Sequence, residues 1–191
     1  MRDAGVGRVL LASLHQGIAD ILPTRLGFYE SWLHAKGLRE GTIDLAPLYA
    51  VLSFLRQEGD VAYATITTSA GEYAAEWTVQ SMGSIERSLL RASPTWLRRR
   101  LVLRLGTRMV RASYRRSRLL YRLRKHVATL DLRASVFCDV RDPVERPLCG
   151  FYTAALARLC ALFDIPAKIA VTSCRAAGSP GCTMTVTVQQ G

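Results

Sequence analysis

Five cysteines, Cys138, Cys149, Cys160, Cys174 and Cys182, all fall in the last third of a chain of 191 residues. Cys174 and Cys182 stand at the two feet of one expected hairpin, around the turn from Arg175 to Gly181, and Cys149 opens an apolar helix. Three thiols placed in this way can converge on one point, which is how a metal site or a disulfide is built. Cys149 and Cys160 are eleven residues apart on that helix, roughly 16 Å at 1.5 Å per residue, so they do not share one ion. An odd number of clustered cysteines, with no signal-like segment at the start, favours metal binding or plain burial over a disulfide framework. Both readings stand on chemistry alone, since free cysteine is among the most buried residue types.

Other chemistry is sparse. His15, His34 and His126 are scattered outside any metal spacing and read as surface or core residues. There is no phosphate-binding loop, no GxGxxG after a strand and no GxSxG elbow, which argues against a nucleotide-driven or hydrolytic enzyme. The formal charge of +11 comes almost wholly from arginine and points to an acidic partner or anionic ligand. Arg104, Arg108, Arg111, Arg115, Arg118 and Arg122, with Lys125, recur at steps of four and three, which predicts one basic stripe on a helix running from Pro94 to His126. No carboxylate side chain lies between Leu97 and Val127 to pair with it. The stripe is either a solvated face or a face for nucleic acid, an anionic membrane, an acidic protein or an acidic ligand.

Apolar periodicity supplies the elements that must position these groups. It predicts helices over about 6–22, 24–36 and 46–57, a β-branched strand from Val61 to Thr68, and a helix from Glu72 to Met82. A short helix from Ile85 to Leu90 and the basic helix after Pro94 follow. From Val127 to Val136 the period becomes two, which predicts a half-exposed strand. Pro147 opens the cysteine helix, and 167–174 with 183–188 form an antiparallel hairpin. The expected class is α/β (α+β), with N-terminal and long central helices packed on a mostly antiparallel twisted sheet. The length suits a single domain over 1–191, in which residues 1–126 are mostly helical and residues 127–191 form a strand, a helix and a hairpin. With 49% hydrophobic and 21% charged residues the chain reads as globular, and the lack of a long uncharged apolar run predicts a cytoplasmic protein. Phe28, Trp32, Phe54 and Trp77 are the aromatics available to line an apolar pocket between helices and sheet.

The series Pro147-Leu148-Cys149-Gly150-Phe151-Tyr152, an apolar helix, then Cys174, Gly178 and Cys182 before an alternating strand, resembles the 4-vinyl reductase domain. The resemblance covers about 127–188 well and the N-terminal helices only in their general order. It implies a fold shared with sensor domains of aromatic-responsive transcription activators and with subunits of vesicle-tethering complexes, which bind lipophilic small molecules. It also implies a homodimer. In the aromatic sensors zinc is held by a helix cysteine, a glutamate three residues before the next cysteine, and a final cysteine eight further on. Cys149, Cys174 and Cys182 match, whereas Val171 stands where the glutamate would be. Three thiolates leave a fourth zinc position open, for which Cys138, Asp139, Asp142 and Glu145 are near in sequence.

The expected function is therefore a non-catalytic binding protein for a hydrophobic small molecule, anionic or neutral, such as a lipid, aromatic or tetrapyrrole, with zinc as cofactor through Cys149, Cys174 and Cys182. Vinyl reduction would need a hydride source, and no nicotinamide or flavin fingerprint is visible. The alternatives are an accessory factor or enzyme of bacteriochlorophyll and tetrapyrrole synthesis, and a basic nucleic-acid-binding or scaffold protein.

Overall fold

The computed structural model describes residues 5–33, 44–124, 127–140 and 144–188. Among these residues six α-helices come first: α1 (Arg8–Ile21), α2 (Leu26–Leu33), α3 (Leu45–Gln57), α4 (Asp60–Gln80), α5 (Ser84–Ala92) and α6 (Thr95–Ser113). Strands β1 (Arg118–Arg124) and β2 (Val127–Arg133), helix α7 (Gly150–Leu162), and strands β3 (Ala167–Ser173) and β4 (Cys182–Val188) complete the order. All strand pairs are antiparallel, in the order β1-β2-β4-β3. This is the expected α+β class.

The sheet is one-sided in composition. Leu119, Leu130, Leu132, Met184 and Val186 point inward and are buried, while Arg118, Arg122, Thr129 and Thr187 alternate with them on the open face. A two-residue period sorts a strand in this way, and burying each large inward side chain is worth ~1.5–3 kcal/mol. α7 packs on α4 and on β3. Ala70, Gly71, Ala74 and Ala75 form a buried small-residue stripe on α4, and it lets the backbones come close. A Cβ on Gly71 would meet the Phe151 carbonyl oxygen at 2.3 Å.

Two expectations are corrected. Val61 to Thr68 is not a strand but the first turns of α4, a helix of 21 residues. Its buried positions Tyr63, Ile66, Thr67, Ala70 and Ala74 recur at three and four, so packing overrides β-branched propensity. Thr65 and Thr67 return their hydroxyls to the carbonyls four residues back, at 2.8 and 2.9 Å. The single basic helix to His126 is also absent: α6 ends at Ser113, where Tyr114 turns extended, and Arg118–Arg124 is a strand inside the region expected to be helical. The ends of α2 near Lys36 and Gly37, and Lys125, His34, His126 and Asp142, lie outside the described residues.

Because a methyl at Gly71 would run into the Phe151 carbonyl, the Ala155 amide and the Ala154 Cβ of α7, none of which is the end of a flexible side chain, Gly71→Ala is expected to cost about 1–3 kcal/mol by overpacking, about 2–12 °C in Tm for a chain of this size. Gly27→Ala in α2, where nothing lies within 4 Å of the new Cβ, is expected to leave Tm unchanged or raise it slightly. Thermal melts followed by circular dichroism check both.

Candidate metal centre

Four segments deliver one cysteine each to the same end of the sheet. Cys138 closes a one-turn 3-10 helix, Val136–Cys138, just beyond β2. Cys149 is the N-cap of α7. Cys174 follows β3 and caps the one-turn helix Arg175–Ala177, and Cys182 starts β4. The pairing explains the meeting: Cys182 lies across from Leu132 near the end of β2, and β3 is the other neighbour of β4. The hairpin turn is closed by Ala177 and Ser179 amides donating to the Cys174 carbonyl at 3.0 and 3.2 Å. Gly178, at φ +82°, takes the left-handed conformation that glycine adopts without steric cost. The Val144 amide donates to the Ala176 carbonyl at 2.7 Å and so pins the approach to α7 against that turn.

The Sγ atoms of Cys138, Cys149, Cys174 and Cys182 all lie within 4.8 Å of one another, and all four residues are buried. Cys138 and Cys149 sulfurs are 3.3 Å apart, Cys138 and Cys174 3.5 Å, and Cys149 and Cys174 3.4 Å. No disulfide joins them. A tetrahedral ion bound at about 2.3 Å would hold its sulfurs about 3.8 Å apart, within about half an ångström of the three distances among Cys138, Cys149 and Cys174. The Arg175 amide donates to Cys182 Sγ at 3.3 Å. The neighbouring sulfurs of Cys138 and Cys149, together with that amide, draw the Cys182 thiol below its ordinary range. Cys149 is pushed up by its bonds to Cys138 and Cys182 and by burial. Four thiols gathered in a dry site are a donor set that binds metal once deprotonated.

The fourth member is the one that sequence spacing leaves among several candidates. Asp139 turns outward to accept from Tyr49 at 2.7 Å and pairs with Arg175 at 3.3 Å. Glu145 is exposed. Cys160 stands apart in the second hydrophobic cluster with Val102, Leu159 and Phe163, where burial alone pushes its thiol up to about 11. A packed aromatic group forms close by in the chain: Phe137 stacks on Phe151 at 4.9 Å, and Tyr152 meets both rings edge-on at 5.6 and 5.2 Å. These rings sit beside Cys138 and Cys149 in the chain, and nothing in the sequence pattern singles out Phe137.

The other expected site residues are dispersed. Phe28, Trp32 and Phe54 form one ring cluster, with Phe54 5.1 Å from Phe28 and 5.4 Å from Trp32. Trp77 stacks instead on Tyr73 at 5.6 Å, so the four stand in two separate ring clusters. Arg104, Arg108 and Arg111 are exposed on α6, Arg115 lies in the following turn, and Arg118 and Arg122 project from the open face of β1. Arg108 pairs with Glu86 at 3.6 Å. Arg118 donates to the carbonyls of Arg115 and Ser117. The six arginines thus divide among helix, turn and sheet.

No family model matches this chain, and no curated protein matches it in sequence. Among solved structures it is similar to an H-NOX protein from S. oneidensis, in the Fe(II) ligation state, with a TM-score of 0.52, 11% identity and 97% of each chain covered. The fold is H-NOX-like. At that identity the likeness speaks for architecture over nearly the full length.

If Phe151 positions the start of α7 beside the cluster, Phe151→Ala is expected to cost about 3–5 kcal/mol. Denaturant unfolding followed by tryptophan fluorescence measures this loss.

Proposed function

We propose that this chain is a small-molecule-binding domain built around a structural zinc ion held by Cys138, Cys149, Cys174 and Cys182. The observation that carries the reading is the convergence of four buried sulfurs from four separate segments within 4.8 Å. All-sulfur tetrahedral sites belong to zinc or iron, and a closed site with four protein ligands is structural rather than catalytic. Cys138 takes the position left open by Val171, so the set is all cysteine. Zinc would join the end of β2, the start of α7 and both arms of the β3–β4 hairpin, and its binding free energy would become folding free energy.

A lipophilic or tetrapyrrole-type ligand is the class supported by the H-NOX-like fold and by the resemblance of the cysteine pattern to the 4-vinyl reductase domain. The apolar cavity between α6 and the sheet, lined by Leu103, Leu123, Ala128 and Val186, holds about 10 Å³ and does not admit a tetrapyrrole as folded, since ligand pockets run to several hundred. Binding on that side would require α6 to part from β1 and β2. The role is carriage or sensing rather than catalysis.

Native mass spectrometry with elemental analysis tests the reading. One zinc per chain is expected, and Cys138→Ser is expected to lower zinc affinity at least tenfold, as does Cys174→Ser, while Cys160→Ser does not. Each ligand gives up a proton on binding, so zinc is expected to be released as pH falls. Metal-replete protein without zinc, or Cys138→Ser with unchanged affinity, would contradict the assignment.

A further inference from the structure

We infer that the corner formed by α5 and the first half of α6 is a docking surface for an anionic lipid bilayer. Three large apolar side chains protrude there: Ile85 is 76% exposed, Leu89 65% and Trp96 62%. Ile85 and Leu89 are one helical turn apart on α5, so they share a face. That face is outward, because Leu90, the next residue, is buried and packs in the core. Aliphatic and indole groups at this exposure have no role in the core, and an apolar patch rimmed by charge marks an interaction site.

The charge around them is predominantly positive, although Arg98 turns toward Asp164. Between Ser84 and Ser113 there are eight arginines and one carboxylate, Glu86, which is paired with Arg108. Trp96, Arg100, Arg104 and Arg108 follow one another at steps of four along α6, and the Arg100 guanidinium carbon lies 5.9 Å from the Trp96 ring centroid. Arg104 and Arg108 also line a groove of about 220 Å³ with Leu89 and Leu90, which joins the arginine line of α6 to the apolar face of α5. Indole with arginine and projecting aliphatics is the composition of a surface that lies in the headgroup layer, where the ring sits at the interface and each cation gains from anionic lipid.

Other occupants fit less well. A second copy meeting this patch through a two-fold axis would set Arg100 and Arg104 against themselves, and like charges in one interface are repulsive. Nucleic acid would use the arginines but has no need of Ile85 and Leu89. No helix among the described residues is long and apolar enough to cross a membrane, so the contact is peripheral.

Co-sedimentation with vesicles tests the inference, using phosphatidylcholine alone and phosphatidylcholine with about one-third phosphatidylserine. The wild-type chain is expected to bind the anionic vesicles at least tenfold more tightly than the neutral ones, and added salt is expected to release it. Ile85→Asp with Leu89→Asp, and separately Arg100→Glu with Arg104→Glu, are each expected to weaken binding at least tenfold while leaving the far-ultraviolet circular dichroism unchanged. Brominated lipid should quench the wild-type tryptophan fluorescence, and Trp96→Phe should abolish that quenching; this readout does not depend on the charge variants folding. Equal binding by variants and wild type, quenching that survives Trp96→Phe, or binding to duplex DNA without binding to vesicles would overturn the inference.

Discussion

Four sulfur atoms that must occupy one dry spot are the constraint around which the C-terminal half is arranged. Cys138, Cys149, Cys174 and Cys182 come from the end of β2, the cap of α7 and the two feet of the β3–β4 hairpin. Their meeting therefore brings the end of β2, the start of α7 and the turn between β3 and β4 to one place. Thiols can be packed without an ion, but these four come from separate segments to within 4.8 Å of one another, with the Arg175 amide also donating to Cys182 Sγ. A buried charge is costly unless it is paired, and a divalent cation is the compensation this donor set suits.

The helical half serves that end of the molecule by letting α7 in. Small residues on α4 bring the α7 backbone close to it at Gly71, and α1 crosses α4 in a similar way, with a Cβ on Gly17 meeting the Ile66 carbonyl oxygen at 2.8 Å. α7 is thus fixed by α4 on one side and β3 on another, and its N-terminal Cys149 enters the cluster from a rigid element. Sites built this way hold geometry better than sites on loops. Arg98 ties α6 to the end of α7, but Arg100, Arg104 and the projecting apolar groups of α5 and α6 are exposed, which leaves that corner free to serve another purpose.

Much of this is legible in the sequence. The alternation of Met184, Val186 and Val188 marks the inward face of the last strand, and the spacing of Cys149, Cys174 and Cys182 marks residues that do meet. What is not legible has a physical reason in each case. Val61 to Thr68 carries β-branched residues whose local preference is outweighed by burial of Tyr63, Ile66 and Thr67 on one helical face. Arg115, Arg118 and Arg122 satisfy a helical step of three and four, but Arg118, Arg122 and Arg124 also satisfy a period of two against Leu119, Tyr121 and Leu123, and the strand pairing with β2 decides between them. Cys138 is one candidate among several in the sequence, because only tertiary structure turns Asp139 outward to Tyr49 and Arg175 while its neighbour faces in.

The most direct measurement of the central claim is X-ray absorption at the zinc edge on protein purified in its reduced form. Four sulfur scatterers at about 2.3 Å, with no nitrogen or oxygen bound to the metal, are predicted. Three sulfurs completed by a lighter atom, or protein that retains no zinc while all four thiols remain reduced, would contradict it.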